Sequence, residues 1–375
     1  MQILSYLIAS LIPLLSLYLI YKLDMYKTGE FKTILICGFA GWVAFQTAGF
    51  INGTLIRQGW LARMDVIRYA APIIEEILKG LTLWYLVRQP KFNYFVEGAV
   101  YGFAAGIGFA IFENFQYIHG SPNAGFAIAA SRVISTNLIH ATTCSLLGIA
   151  LGLARFQRIP RQILFSLGGL LIAMLLHVGY NNMVTRVNSG LLLVYAAVSG
   201  IGGAGAIAFA IRQGLKQEKI WIEEKLGMTD RVTKGEAAIV LRMENVKEIL
   251  KPLAERFGDQ KASQIEKFLI SQAHLGIKRK SLDKLVDERM KRSVEEEITK
   301  LRVEMENAQR QVGSYAMLYL RHAIPADVSP VWGKLEAAIQ ERASAPQTAG
   351  KTNLWENLKA RQEKADAEPK QESKS

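Results

Sequence analysis

Long apolar runs alternate with short polar loops from the first residues to about Arg212, and beyond that point no run could cross a bilayer. A membrane-spanning helix needs about 20 mostly apolar residues. That criterion marks seven candidate spans, at 3–21, 32–51, 65–87, 95–118, 125–154, 163–184 and 189–211. Past Arg212 apolar positions recur at helical spacing over 235–257, 260–275 and 282–323, with Pro252 and Gly258 expected as breakers. Ile298, Leu301, Met305, Ala308, Val312, Tyr315 and Tyr319 follow alternating three- and four-residue steps, which suits a coiled-coil seam, a helical hairpin or one face of a small bundle. From Ser344 onward large apolar residues are few and disorder is expected. The pattern predicts an all-α chain with three parts: a polytopic membrane helix bundle of about seven spans over 1–212, a cytoplasmic α-helical domain over 213–343, and a tail over 344–375.

Charge orients the spans. Lys22, Lys27, Lys32, Arg88, Lys91, Arg155, Arg158 and Arg161 lie in or beside loops 22–31, 88–94 and 155–162. The alternate loops, 52–64, 119–124 and 185–188, carry Arg57, Arg63 and Arg186 alone among Lys and Arg. Basic residues mark the cytoplasmic side, so the N-terminus is expected outside and the C-terminal domain in the cytoplasm of a cell (plasma or inner) membrane. Arg212, Lys216 and Lys219, just after the last span, agree. The formal net charge of +12 then reflects topology and attraction to the lipid bilayer. No aromatic–basic interleaving points to nucleic acid. Cys37 and Cys144 both fall within apolar segments, so no disulfide framework is implied. The first segment lacks a basic leader and a small-residue cleavage site, and an uncleaved first span is expected.

Chemistry enters where charge interrupts the spans. Glu75, Glu76 and Lys79 lie in the third, Glu113 in the fourth, His140 in the fifth, and His177 with Asn181 in the sixth. A charged side chain at the bilayer centre costs roughly 2.5–3.5 kcal/mol on insertion scales, so such groups face a protein interior or a wet cavity. Four-residue spacing sets Glu75 with Lys79, and His177 with Asn181, on one helical face. Asn137, His140 and Cys144 form a comparable stripe. At about 1.5 Å per residue, Glu75 and Glu76 lie about 15 Å below the outer end of their span, and the groups are expected to converge in the outer half of the membrane. Gly98, Gly102 and Gly106 repeat every four residues, a spacing that lets a neighbouring backbone approach closely.

Two imidazoles, several carboxylates and an amide are the parts needed to activate a water. A zinc ion held by imidazole and carboxylate is one route, with a spare carboxylate as general base and Asn or protonated His stabilising the oxyanion. A glutamate of raised pKa in a desolvated pocket is another. Singly, each residue has a plainer role: Glu75–Lys79 as an internal ion pair, either histidine as a hydrogen-bonded core residue, Glu113 reaching interfacial water, Glu97 as a structural residue at a span end. Their joint presence on four spans favours a shared site.

The segments Glu75-Glu76-Ile77-Leu78-Lys79 (EExxK), Phe109 to Glu113 (FxxxE) after the Gly-rich stretch, Arg132 with His140, and His177 to Asn181 (HxxxN) resemble the PrsW family of intramembrane proteases, within the superfamily of the type II CAAX prenyl proteases. The similarity covers about residues 60–185. The resemblance implies hydrolysis of peptide bonds in membrane-protein substrates, with anti-sigma-factor-like site-1 cleavage as the best-known role. It implies Glu75, Glu76, Asn181 and Lys79 as catalytic groups, and Glu76, Glu113, His140 and His177 as a metal set, zinc being the expected ion. Position 97 is Glu where the family pattern often has Asp, and the C-terminal extension of about 160 residues lies outside the family's core. That extension is expected to recruit a cytoplasmic partner or to form a homo-oligomer. Two other functions remain open: a non-catalytic scaffold of the same fold, and an ion- or metal-coupled transporter, although no internal repeat of the transporter kind is visible.

Overall fold

In the computed structural model the described residues are 2–322, except 122, 124, 187–188, 227–231 and 233. The expected tail over 344–375 lies outside them. The described helices all fall within one unit, Met1–Ile324. They are α1 (Gln2–Leu23), α2 (Phe31–Arg57), α3 (Arg63–Asp65), a π-helical turn (Val66–Ala70), α4 (Ala71–Val87), α5 (Phe95–Gly120), α6 (Gly125–Ile134), α7 (Thr136–Ala154), α8 (Ile159–Val184) and α9 (Ser189–Lys225). A second group follows: α10 (Lys234–Val240), α11 (Val246–Phe257), α12 (Asp259–Lys284), α13 (Glu288–Val312) and α14 (Ser314–His322). No strand occurs among the described residues.

Helix α5 is the axis of the membrane bundle. Every residue from Val96 to Ile111 is buried, because α7 and α2 press on it from two sides at backbone distance. A Cβ at Gly98, Gly102 or Gly106 would land on the carbonyl oxygen of Gly148, Cys144 or His140 of α7, and one at Gly108 on the carbonyl of Gly38 of α2. The four-residue glycine stripe read from the sequence is therefore the groove in which α7 lies.

Among the described residues, five helical segments are long and apolar enough to cross a membrane by themselves: α1, α2, α5, α6 and α7 taken together, and α8. Their outward faces carry Leu11, Leu15 and Leu19 on α1 and Leu164, Leu171 and Leu175 on α8, all exposed. A water-soluble bundle would bury such stripes. The segment expected as the third span contains α4, only 17 residues long, preceded without a loop by the π turn and α3. Pro72 explains that turn: it has no N–H for the carbonyl of Arg68, and its ring crowds that carbonyl. Ala71 N–H instead reaches back five residues to Val66 O, which also frees Ile67 O. The segment expected as the seventh span begins α9, which runs on through the expected boundary at 212/213 to Lys225. No loop separates the two parts there.

The C-terminal helices differ from the sequence expectation: the 235–257 segment breaks between Val240 and Val246, and the helix expected over 260–275 runs on to Lys284. Pro252 lies inside α11 and does not end it, whereas Gly258, at φ 86°, does. The long 282–323 segment is cut twice. Asp287 caps α13 by accepting Met290 N–H at 2.7 Å, and Gly313, at φ 85°, separates α13 from α14. Ile298, Met305 and Val312 of the predicted seam are buried in a hairpin with α12, while Tyr315 falls on α14 and is exposed.

Helix α12 also holds these helices to the basic end of the bundle. Gly276 lets it approach the Ile222 backbone of α9. Lys278 Nζ donates to Pro90 O and Lys91 O, each at 2.8 Å, and the His274 ring bonds Tyr26 O at 2.8 Å. The Tyr94 and Trp221 rings meet at 4.3 Å. Glu97 is structural: its carboxylate accepts Asn93 N–H at 3.0 Å, reaching back before the first turn of α5.

Candidate active site

Five helices, α4 to α8, bring their polar residues to one buried point. On α4, Glu75, Glu76 and Lys79 lie within about one turn, and the Lys79 ammonium donates to Glu76 Oε1 at 2.7 Å. The same oxygen accepts from Thr143 Oγ1 of α7 at 3.1 Å and pairs with His177 Nδ1 of α8 at 2.8 Å. Glu76 Oε2 is buried with no partner. The Glu75 carboxylate stands 3.8 Å from His177 Nε2, and the His140 and His177 rings meet edge to face at 4.7 Å.

His140 sits between two charged groups: Lys79 Nζ is 3.1 Å from its Nδ1 and Glu113 Oε2 of α5 is 3.0 Å from its Nε2. A protonated lysine can only donate, so Nδ1 is the acceptor and Nε2 carries the hydrogen that Glu113 accepts. Glu113 is held in turn by Arg132 of α6 at 2.6 Å, and Arg132 also donates to Asn114 at 2.7 Å. Asn114 donates to Asn137 at 2.5 Å, which fixes its amide orientation. Phe109 closes one side, its ring 4.9 Å from that of His140 and 4.8 Å from Lys79 Nζ.

Glu75, His140 and His177 can each offer one ligand atom within 4.8 Å of the others. The metal set expected from the sequence shared the two histidines but held Glu76 and Glu113 in place of Glu75. In the structure Glu76 and Glu113 each engage a ring nitrogen of one histidine, the arrangement by which carboxylates orient metal-ligating imidazoles. Charge agrees with a cation. Lys79 pairs with Glu76 and Arg132 with Glu113, which leaves Glu75 with neither Lys nor Arg as a partner and able to meet a cation. The residues present therefore fit a metal ion, with one demand: His140 has a single lone pair, and Lys79 must release it for His140 to become a ligand.

Asn181 is elsewhere. Its side-chain amide donates to Ile67 O at 2.8 Å, and neighbouring Asn182 reaches Arg68 O at 3.3 Å. These are the two carbonyls that Pro72 and the π turn leave without helical partners, so the pair pins α8 to the start of α4. Sequence reasoning missed Thr143, although a hydroxyl one turn from His140 in an apolar span was the available signal. Cys144, part of the expected stripe, is a buried free thiol packed where Gly102 meets α7.

The profile of the PrsW family intramembrane metalloproteases matches residues 31–207, which contain the whole cluster. Protease PrsW of Bacillus subtilis (strain 168) is 28% identical over 184 residues, or 48% of this chain and 82% of that protein. No solved structure matches the chain. Through residues 31–207 this multi-pass membrane chain matches the PrsW family of intramembrane metalloproteases, a family of peptidases.

Proposed function

We propose that the buried cluster hydrolyses a peptide bond in a membrane-protein substrate, with Glu75, His140 and His177 holding a zinc ion and Glu76 acting as general base. The observation that carries this assignment is the trio of donor atoms within 4.8 Å, buried beside an unpartnered carboxylate oxygen. Bound there, zinc would bring the pKa of a coordinated water to about 7. The chain's own residues do the rest. Three donors on Glu76 Oε1 lock its carboxylate and leave Oε2 to take a proton. Lys79 offsets the charge of Glu76, and Arg132 with Glu113 keeps the His140 ring in place. Asn181 acts as a positioning residue: by holding the π turn it sets where α4 presents its two glutamates.

The same proposal includes orientation, span count and substrate. Basic loops put the N-terminus outside and α10–α14 in the cytoplasm, with seven spans when α4 and the first part of α9 are included. The depth of the cluster then suits a cut near the outer side of a single-pass substrate, and a membrane-anchored anti-sigma factor is the candidate.

Two variants in the reconstituted full-length protein test the roles separately. Glu76→Gln should lower cleavage by about 100-fold or more while retaining metal at the wild-type ratio. Glu75→Gln should lose both metal and cleavage with helicity intact. Wild-type cleavage by Glu76→Gln, or full metal content in Glu75→Gln, would overturn the assignment.

A further inference from the structure

A recess of about 980 Å³ opens at the basic end of the bundle, and no residue of the glutamate–histidine cluster lines it. Six basic side chains from three separate segments line it: Lys22 and Lys27 around the end of α1, Arg212, Lys216 and Lys219 on α9, and Lys247 at the start of α11. Two carboxylates share the wall, Asp24 and Glu248. Asp24 is turned into its own loop, where Oδ2 accepts Gly29 N–H at 2.7 Å and the Thr28 hydroxyl at 3.2 Å. Lys27 is paired with Glu266 at 2.7 Å. Arg212, Lys216 and Lys247 enter no ion pair among the described residues. Three basic side chains with no ion-pair partner, gathered beside further basic groups, favour an anion.

We propose that this recess binds the phosphate headgroup of an anionic phospholipid. Helix faces distinguish a lipid from a free phosphate. Leu15, Leu19 and Lys22 follow one face of α1, and Phe209, Arg212 and Lys216 follow one face of α9, at three- and four-residue steps. Leu15, Leu19 and Phe209 are exposed, at 56%, 58% and 63%. Lys22, and Arg212 with Lys216, thus end exposed apolar stripes, as a ligand with a charged head and apolar tails requires. The recess also has walls from both groups of helices, since Met243, Asn245, Val246, Lys247 and Glu248 precede or begin α11 while the rest belong to α1, its following loop and α9. A headgroup bound there would tie α11 to the membrane bundle.

The full-length protein, purified and then exchanged into nanodiscs of phosphatidylcholine with or without phosphatidylglycerol, tests this. Native mass spectrometry should find phosphatidylglycerol retained in preference to phosphatidylcholine, and hydrogen exchange across 243–250 should slow when the anionic lipid is present. The double variant Arg212→Ala/Lys216→Ala should bind it roughly thirtyfold more weakly, at about fivefold per basic side chain. Arg310→Ala, on α13 and away from the recess, should bind as wild type. Equal retention of the two lipids by the wild-type protein, or equal retention of phosphatidylglycerol by the wild type and the double variant, would overturn the site. Slowed exchange with inorganic phosphate alone, at the level given by lipid, would overturn the lipid as its occupant.

Discussion

Glu76 carries an asymmetry that sets the residue-scale chemistry: one oxygen holds three donors and the other, equally buried, holds none. Of the three donors, Thr143 has no charge and its hydroxyl meets only the Glu76 carboxylate and the His140 backbone carbonyl, at 3.2 Å, so its contribution is geometric. Thr143→Val removes the hydroxyl but keeps the branched shape. The expected outcome is a kcat lower by about 10- to 100-fold, the usual effect of losing a supporting hydrogen bond in such sites. KM should hold, and the loss of stability should be near 1 kcal/mol. Thr143→Ser should restore most of the rate. A substrate-cleavage series with parallel thermal melts checks this; a changed KM with unchanged kcat would assign Thr143 to substrate binding. The polar members of the cluster were legible in the sequence because charge inside an apolar run is conspicuous. Which carboxylate met which imidazole was not legible. Glu75 and Glu76 are adjacent, about 100° apart around the helix, and only the side-chain directions from α7 and α8 decide that Glu76 takes His177 Nδ1 and Glu75 the ligand position.

At the scale of elements, the distance between Glu113 on α5 and His140 on α7 is set by glycine. Gly102 and Gly106 sit against the carbonyls of Cys144 and His140, so any side chain there must push α7 away and draw His140 from Glu113. Gly102→Ala should cost about 1–3 kcal/mol, as overpacking does in a close contact, and should reduce cleavage more than the melting temperature alone implies. Gly168→Ala on α8, where a Cβ meets nothing within 4 Å, should leave stability equal or slightly raised through helix propensity. Equal effects at the two positions in detergent-resistance and cleavage assays would refute the packing argument. Helix existence was readable from hydrophobic periodicity, and so was the glycine groove. The interruptions were harder. The π turn before Pro72, the break at Ser135 between α6 and α7, and the stop at Gly313 depend on single backbone positions inside runs whose average composition still reads as helix. Pro252 shows the converse, a nominal breaker absorbed within an amphipathic helix whose Leu250 and Leu253 are buried.

Across the whole molecule, α12 joins the C-terminal helices to the membrane bundle, and one of its contacts is made by a titratable ring. His274 bonds Tyr26 O in the loop between α1 and α2, within reach of the Lys278 ammonium, the Lys27 backbone and the Glu30 carboxylate. Burial holds the imidazole below its ordinary value of 6.5, and Lys278 adds to the depression against the opposing pull of the Tyr26 carbonyl and Glu30. The docked ring is therefore neutral under conditions where a released ring would already take up a proton. Below pH 6.5 the undocked state binds the extra proton, so acidification weakens the joint, and raising the pH above 6.5 gains nothing further from this group. Hydrogen exchange at the amides of residues 26–29 should accelerate as pH falls from 7 to 5.5, after correction for intrinsic rates. In His274→Gln, whose amide can donate the same bond but does not titrate, that acceleration should be smaller. Identical pH profiles for the two proteins would show that other buried groups at this joint control its docking. The positive-inside pattern of the sequence located this end of the molecule, yet it could not show the joint, because a histidine on an amphipathic helix carries no mark of the carbonyl it will meet 248 residues away.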